Sequence, residues 1–150
     1  MQWPVRVGAV IYDPLEDEIL MQWRRDAWSC FGDDCLKGEK PHQAIKRALE
    51  KRLKIKVVDR QLIGFGAFTT TRGRTSAQYL MLHHEKFNPL KVSDLKRRWF
   101  AVDEAMSLAP PMIQVHTHHL LDAFGTRVTL KERLGYREIL RKLGLSETNS

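Results

Sequence analysis

Between Phe31 and Ile55 the sequence sets three carboxylates, Asp33, Asp34 and Glu39, ahead of a helix-period run that carries Arg47, Lys51 and Arg52. Oxygen ligands suit a hard divalent cation such as Mg²⁺ or Mn²⁺, which can neutralise a diphosphate and activate water. Cations suit the phosphate itself, arginine binding it as a planar fork and lysine as a point charge. At about 100° per residue, positions 47, 48, 51 and 52 fall within a sector of roughly 140° on one side of the helix. Arg47, Ala48, Lys51 and Arg52 occupy that sector, and Glu50, about 160° away from Arg52, points elsewhere. Glu39 is therefore left as a lone carboxylate among several cations, a poor magnesium site. Arg52 lies at the edge of the apolar face, between the directions of Ala48 and Ile45, where a partly buried cation needs an anion. That anion is either internal, from Glu39, Asp33 or Asp34, or a ligand phosphate.

The elements that must position these residues can be read in order. Val5 to Tyr12 is β-branched and apolar and predicts a central strand; Asp13-Pro14 ends it, and Ile19 to Trp23 returns as a second strand. Arg24-Arg25-Asp26 interrupts before Trp28, and Phe31-Gly32-Asp33 reads as a turn. Pro41 opens the helix, with Ala44, Ile45, Ala48, Leu49 and Leu53 as its buried face. Leu62 to Thr70 and Ser76 to His83 predict a hairpin whose tip carries Arg72 and Arg74. A strand and short helix follow over 94–105, Pro110-Pro111 opens a helix through Phe124, and Thr129 to Leu143 predicts a last amphipathic helix.

Other chemistry-bearing residues are read as structural. Cys30 and Cys35 have no second pair to complete a zinc site and read as reduced thiols. A helix from Pro111 puts His116 and His119 on one face and His118 on another, and His83 and His84 alternate along a strand. Trp3, Trp23, Trp28 and Trp99 are core or cleft-wall material, one of which could stack a base. With 150 residues the chain suits one domain that buries roughly two-thirds of its unfolded surface. It has no apolar run of membrane-spanning length and no signal-peptide pattern, so a cytoplasmic protein without membrane partners is expected. A net charge of +7 favours polyanionic partners such as nucleic acid or phosphorylated metabolites.

Residue by residue, the stretch from Gly32 to Ile55 resembles the signature loop-helix of the Nudix family. Glu39 stands on the first glutamate of that motif, Arg47 on its arginine, Leu49 and Ile55 on its aliphatic positions, and Gly32 one residue before its first glycine. Asp33 stands at that glycine, Ala48, Lys51 and Arg52 where the family has three helix glutamates, and Lys54 at the final glycine. The opening hairpin and the strand and short helix around Trp99 resemble the family as well, so the likeness runs from residue 5 to about 124.

The resemblance implies an α/β/α sandwich with a mixed sheet over residues 1–128, with 129–150 as a helical extension packed on the same domain. In the family the helix carboxylates hold Mg²⁺ or Mn²⁺ against a diphosphate. Their replacement here implies loss of that mechanism, no cofactor, and a phosphorylated ligand, nucleotide or RNA, bound by Arg47, Lys51, Arg52, Arg72 and Arg74 with Trp28. Two alternatives stay open. One is a hydrolase of a nucleoside diphosphate derivative with Glu39 as the catalytic carboxylate and Asp33, Asp34 and Glu85 supplying further metal ligands. The other is a module that docks on a protein partner or forms a homodimer.

Overall fold

A computed structural model describes residues 6–69, 75–86, 89, 96–108, 138, 141 and 142, without the side chains of 63–69 and 106. The elements whose bounds are described follow in order: β1 (Arg6–Asp13), β2 (Glu18–Arg24), β3 (Ala27–Ser29), β4 (Phe31–Asp34), α1 (Pro41–Leu53), a 3-10 turn (Asp59–Gln61), β5 (Leu62–Thr69), β6 (Thr75–Leu82), β7 (Arg97–Ala101) and α2 (Val102–Leu108). Arg72 and Arg74, the helix expected from Pro110 and its three histidines lie outside the described residues. Of the C-terminal segment, only Glu138, Arg141 and Lys142 are described. They are helical, and the Arg141 Nε–H donates to Glu138 Oε2 at 3.0 Å.

β1 is buried along nearly its whole length because it lies mid-sheet, in the order β3-β2-β1-β6-β5. Its parallel partner on one edge is β6, from Arg6 opposite Ser76 to Tyr12 opposite Leu82. Two strands share its other edge: β4 pairs antiparallel with Arg6–Ala9, and β2 pairs antiparallel with Ile11–Asp13. Beyond Leu20, β2 therefore leaves β1 and continues against β3 and β7. The two strands part at Val10, which pairs with neither.

Strand alternation sorts the core into two layers. Val7, Ala9, Ile11, Leu20, Phe31 and Met81 face Ile45, Leu49 and Leu53 of α1. Val10, Tyr12, Ile19, Met21 and Leu82 pack on the other side with Phe100 and with Ala105 of α2. The mixed sheet between helices is the α/β/α arrangement expected from the sequence. Fully buried side chains such as Leu49 and Ile45 each contribute roughly 1.5–3 kcal/mol by leaving water.

The Phe31-Gly32-Asp33 turn expected from the sequence is instead strand β4. Gly32 fits there because a Cβ would lie 2.6 Å from the Val7 carbonyl oxygen, closer than any side chain tolerates. The true turn lies earlier. Arg25 and Asp26 form a two-residue loop between the paired Arg24 and Ala27, both with positive φ, 52° and 61°. That matches the twist of a tight hairpin, at a cost for residues that are not glycine.

Candidate functional site

α1 starts at Pro41, where the Gln43 side chain accepts from the Lys40 N–H at 3.1 Å. It ends on Lys54, whose φ of 56° is left-handed and whose N–H donates to the Glu50 carbonyl. The Glu50 side chain accepts from the Val57 N–H at 3.0 Å, so this carboxylate anchors the chain leaving the helix. α1 packs across β4 and β1, with Ala48 buried, Arg47 and Arg52 half-buried and Lys51 exposed.

Arg47 is fully committed to the protein. Its Nε and Nη2 donate to Glu39 Oε2 and Oε1 at 2.8 and 3.0 Å, its Nη1 lies 3.4 Å from Asp33 Oδ2, and Nη2 also reaches the Asp34 carbonyl at 2.9 Å. Glu39 Oε1 accepts the Leu36 N–H as well, at 2.9 Å. The Arg47 hydrogen bonds, followed by the Leu36 amide, hold the Glu39 carboxyl below its ordinary value. Glu39 in turn raises the Arg47 guanidinium. Both Glu39 oxygens are thus spent on ordering the loop that carries it onto α1.

Asp33 lies on the α1 side of β4. Desolvation works against its charge, but the Asp34 amide, Arg47 and Arg52 together keep its carboxyl below the ordinary range. Asp34 points the other way, with its Oδ1 3.7 Å from Arg6 Nε. Glu85 follows β6, and its Oε1 lies 3.5 Å from Arg97 Nη2.

Arg52 is the cation for which the sequence leaves the choice of anion open, and the fold brings Asp33 into its field without an ion pair between them. Among the described residues Lys51 and Arg52 form no ion pair and no side-chain hydrogen bond, although Arg52 is half-buried. The fold brings a second arginine to it. Arg24 ends β2 on the same face as Leu20 and Gln22, and its guanidinium is lowered first by Arg52, then by desolvation, Arg25 and Arg6, with Asp33 opposing. Arg24, which sequence reasoning passed over as part of a polar interruption, is thus an exposed cation within the field of Arg52, and Arg47 is engaged by Glu39 and Asp33. Alternation with buried Leu20 was the signal that could have found Arg24.

Trp28 is placed elsewhere. It packs in the α2-side layer, edge-on to Trp23 and to Phe100 at centroid distances of 5.3 and 4.9 Å. Cys30 and Cys35 are not in a disulfide, and desolvation, reinforced by Glu39, raises Cys35. Among the described residues no three His, Cys, Asp or Glu side chains gather as a metal group, and no helix is long and apolar enough to cross a membrane.

A family model, the NUDIX domain, matches residues 2–123. The chain belongs to the Nudix family. No curated protein matches it by sequence. Among solved structures, this Nudix chain is similar to the E. coli dihydroneopterin triphosphate pyrophosphohydrolase, with a TM-score of 0.60, 19% identity and coverage of 79% of this chain and 96% of that one. The C. elegans Ap4A hydrolase gives 0.59, 18%, 84% and 98%. A bifunctional NMN adenylyltransferase/ADP ribose pyrophosphatase from Francisella tularensis, complexed with AMP and manganese, gives 0.65 and 20%, covering 83% of this chain and 42% of that one. At these identities the likeness establishes the Nudix fold alone.

Proposed function

We propose that this chain is a Nudix-fold protein that binds a phosphorylated ligand, a nucleotide or RNA, through Arg24, Lys51 and Arg52 and does not hydrolyse it by the metal-dependent route. One observation carries the reading. The exposed Arg24 and the half-buried Arg52, from two different elements, lie within each other's field and that of Asp33 on the side of α1 where the family motif gathers carboxylates, and neither forms an ion pair among the described residues. Asp33 offsets only one of the two positive charges, so an added anion would stabilise the pair. Phosphate oxygens match two such forks.

The residues present do not fit Mg²⁺ or Mn²⁺. A hard cation needs several oxygen ligands, and here Ala48, Lys51 and Arg52 supply none, Glu39 is held on both oxygens by Arg47, and Glu85 faces Arg97. Asp33 lies in the field of Arg52, and Arg47 already contacts it.

The test is direct. Purified protein with Mg²⁺ or Mn²⁺ is incubated with ADP-ribose, dinucleoside polyphosphates, nucleoside triphosphates and capped RNA, and no turnover above background is expected. Saturable metal-dependent turnover that disappears in Glu39→Gln would replace this reading with the hydrolase one. Failure of phosphate, pyrophosphate and every nucleotide tested to bind would favour a protein-docking role for the basic surface.

A further inference from the structure

The α2-side face of the sheet carries aromatic and cationic residues that the phosphate site does not use. Met21 and Trp28 lie in the α2-side layer, so by alternation Trp23, opposite Trp28, and Arg98, opposite Met21, face the same way. The Trp23 N–H donates to the Lys96 carbonyl at 2.8 Å, which extends the Gln22–Arg97 register by one residue and sets Lys96 opposite Trp23. β7, β2 and β3 therefore lay out one row, Lys96, Trp23 and Trp28, with Arg98 about 7 Å further along beside Met21. Toward Ile19 and Phe100 this face is buried with Ala105 of α2, and toward Trp23 it opens. Lys96 and Arg98 are exposed, and Trp23 is 38% exposed.

One exposed apolar side chain is ordinary on any surface. Here the exposed ring belongs to an aromatic pair flanked by cations. Trp23 and Trp28 meet edge-on, with 69° between their planes, an arrangement that covers at most one face of Trp23. The Arg98 guanidinium lies 4.9 Å from the centroid of the Phe100 ring, which holds it against the sheet surface. Among the described residues neither Lys96 nor Arg98 forms an ion pair, and Arg25 at the nearby loop tip adds a third cation, opposed by Asp26. A chain that alternates planar rings with anionic links uses both features at once, its bases stacking on an aromatic face and its phosphates lying against the cations. An acidic protein segment would meet the cations and leave the ring face unused. The surface therefore matches single-stranded nucleic acid in shape as well as in charge.

We propose that Trp23, Trp28, Lys96 and Arg98 form a binding surface for single-stranded nucleic acid, with a base stacked on Trp23 and the adjoining phosphates against Lys96 and Arg98. It lies on the opposite face of the sheet from Arg24 and Arg52, so it stands or falls independently of the phosphate reading above.

The experiment is fluorescence anisotropy of a labelled short oligouridylate, and of an abasic ribose-phosphate chain of the same length, titrated with the full chain without divalent metal. Each titration is repeated with excess inorganic pyrophosphate at constant ionic strength, which occupies the cations of α1 and β2. The oligouridylate is expected to bind roughly tenfold or more tightly than the abasic chain, as one stacked base implies, and to do so with pyrophosphate present. Trp23→Ala is expected to remove that advantage and Trp23→Tyr to keep most of it. Lys96→Glu with Arg98→Glu is expected to weaken both oligomers by roughly tenfold or more. These two charge reversals, both at exposed positions, decide should Trp23→Ala fail to fold. Equal binding of the two oligomers, an advantage that survives Trp23→Ala, or binding that the charge reversals leave unchanged would overturn the proposal. Binding that pyrophosphate abolishes would overturn it while supporting the phosphate reading. Trp23-dependent binding to phosphatidylserine vesicles, with none to oligouridylate, would overturn it in favour of a membrane contact.

Discussion

Arg47 and Arg52 sit five positions apart on one helix and meet opposite conditions. Arg47 pairs with two carboxylates and a carbonyl, whereas Arg52 forms no ion pair among the described residues and shares the field of Asp33 with a second arginine. Because Glu39 and Asp33 both have folded values depressed below their unfolded ones, the stability they contribute is present above about pH 4.3 and 3.9 and is lost as pH falls through the folded values. The urea midpoint should accordingly be flat above about pH 5 and decline below about pH 4. Glu39→Gln should lower the midpoint at neutral pH and flatten the acid decline. An unchanged acid profile in that variant would show that the Glu39–Arg47 pair does not order the loop.

Helix α1 ends where the backbone must turn left-handed, and a lysine holds the position. A residue with a Cβ costs roughly 1–2 kcal/mol there, partly offset by the greater unfolded-state freedom of glycine. Lys54→Gly should therefore stabilise the fold by about 1 kcal/mol, read as a higher urea midpoint, and a lower midpoint would mean that Lys54 makes a contact worth more than its strain. Gly32→Ala should do the reverse and cost about 2 kcal/mol or more, since β4 would have to move off Val7.

Lys54, at the motif's final glycine, and Gly32, one residue before its first, also mark where reading the sequence succeeds and where it stops. The helical spacing of Ala44, Ile45, Leu49 and Leu53 gave α1 and its Pro41 start, because local periodicity and the proline both act within the element. β4 was read as a turn because glycine beside acidic residues is ambiguous until a partner strand is known. Gly32 is needed for close approach to Val7, a contact between residues 25 positions apart. The site divided the same way. That Arg52 would lack a carboxylate on its own helix face followed from helix geometry. That Arg47 would be consumed by Glu39, and that Arg24 would arrive from β2, depended on how a loop folds back and on which strand edge β4 takes.

For the molecule as a whole, the net charge of +7 acts on any polyanion, and long-range attraction must be separated from the site itself. Binding of a short single-stranded RNA, followed by fluorescence anisotropy, should weaken with salt by a log–log slope of about 0.7 for each phosphate neutralised. Arg24→Ala with Arg52→Ala should reduce that slope by roughly one to two phosphates' worth. An unchanged slope would place RNA contact elsewhere on the basic surface. The most direct measurement is thermal melting without divalent metal, with and without inorganic pyrophosphate, in the natural chain and in a Lys51→Glu, Arg52→Glu variant. Near-saturating pyrophosphate should raise the melting temperature of the natural chain by roughly 5–10 °C. The variant should lose that shift and gain one with Mn²⁺, since two carboxylates would then stand beside Asp33. A natural chain whose melting pyrophosphate leaves unmoved, or moves only when Mg²⁺ or Mn²⁺ is added, would contradict phosphate binding by the cations of α1 and β2.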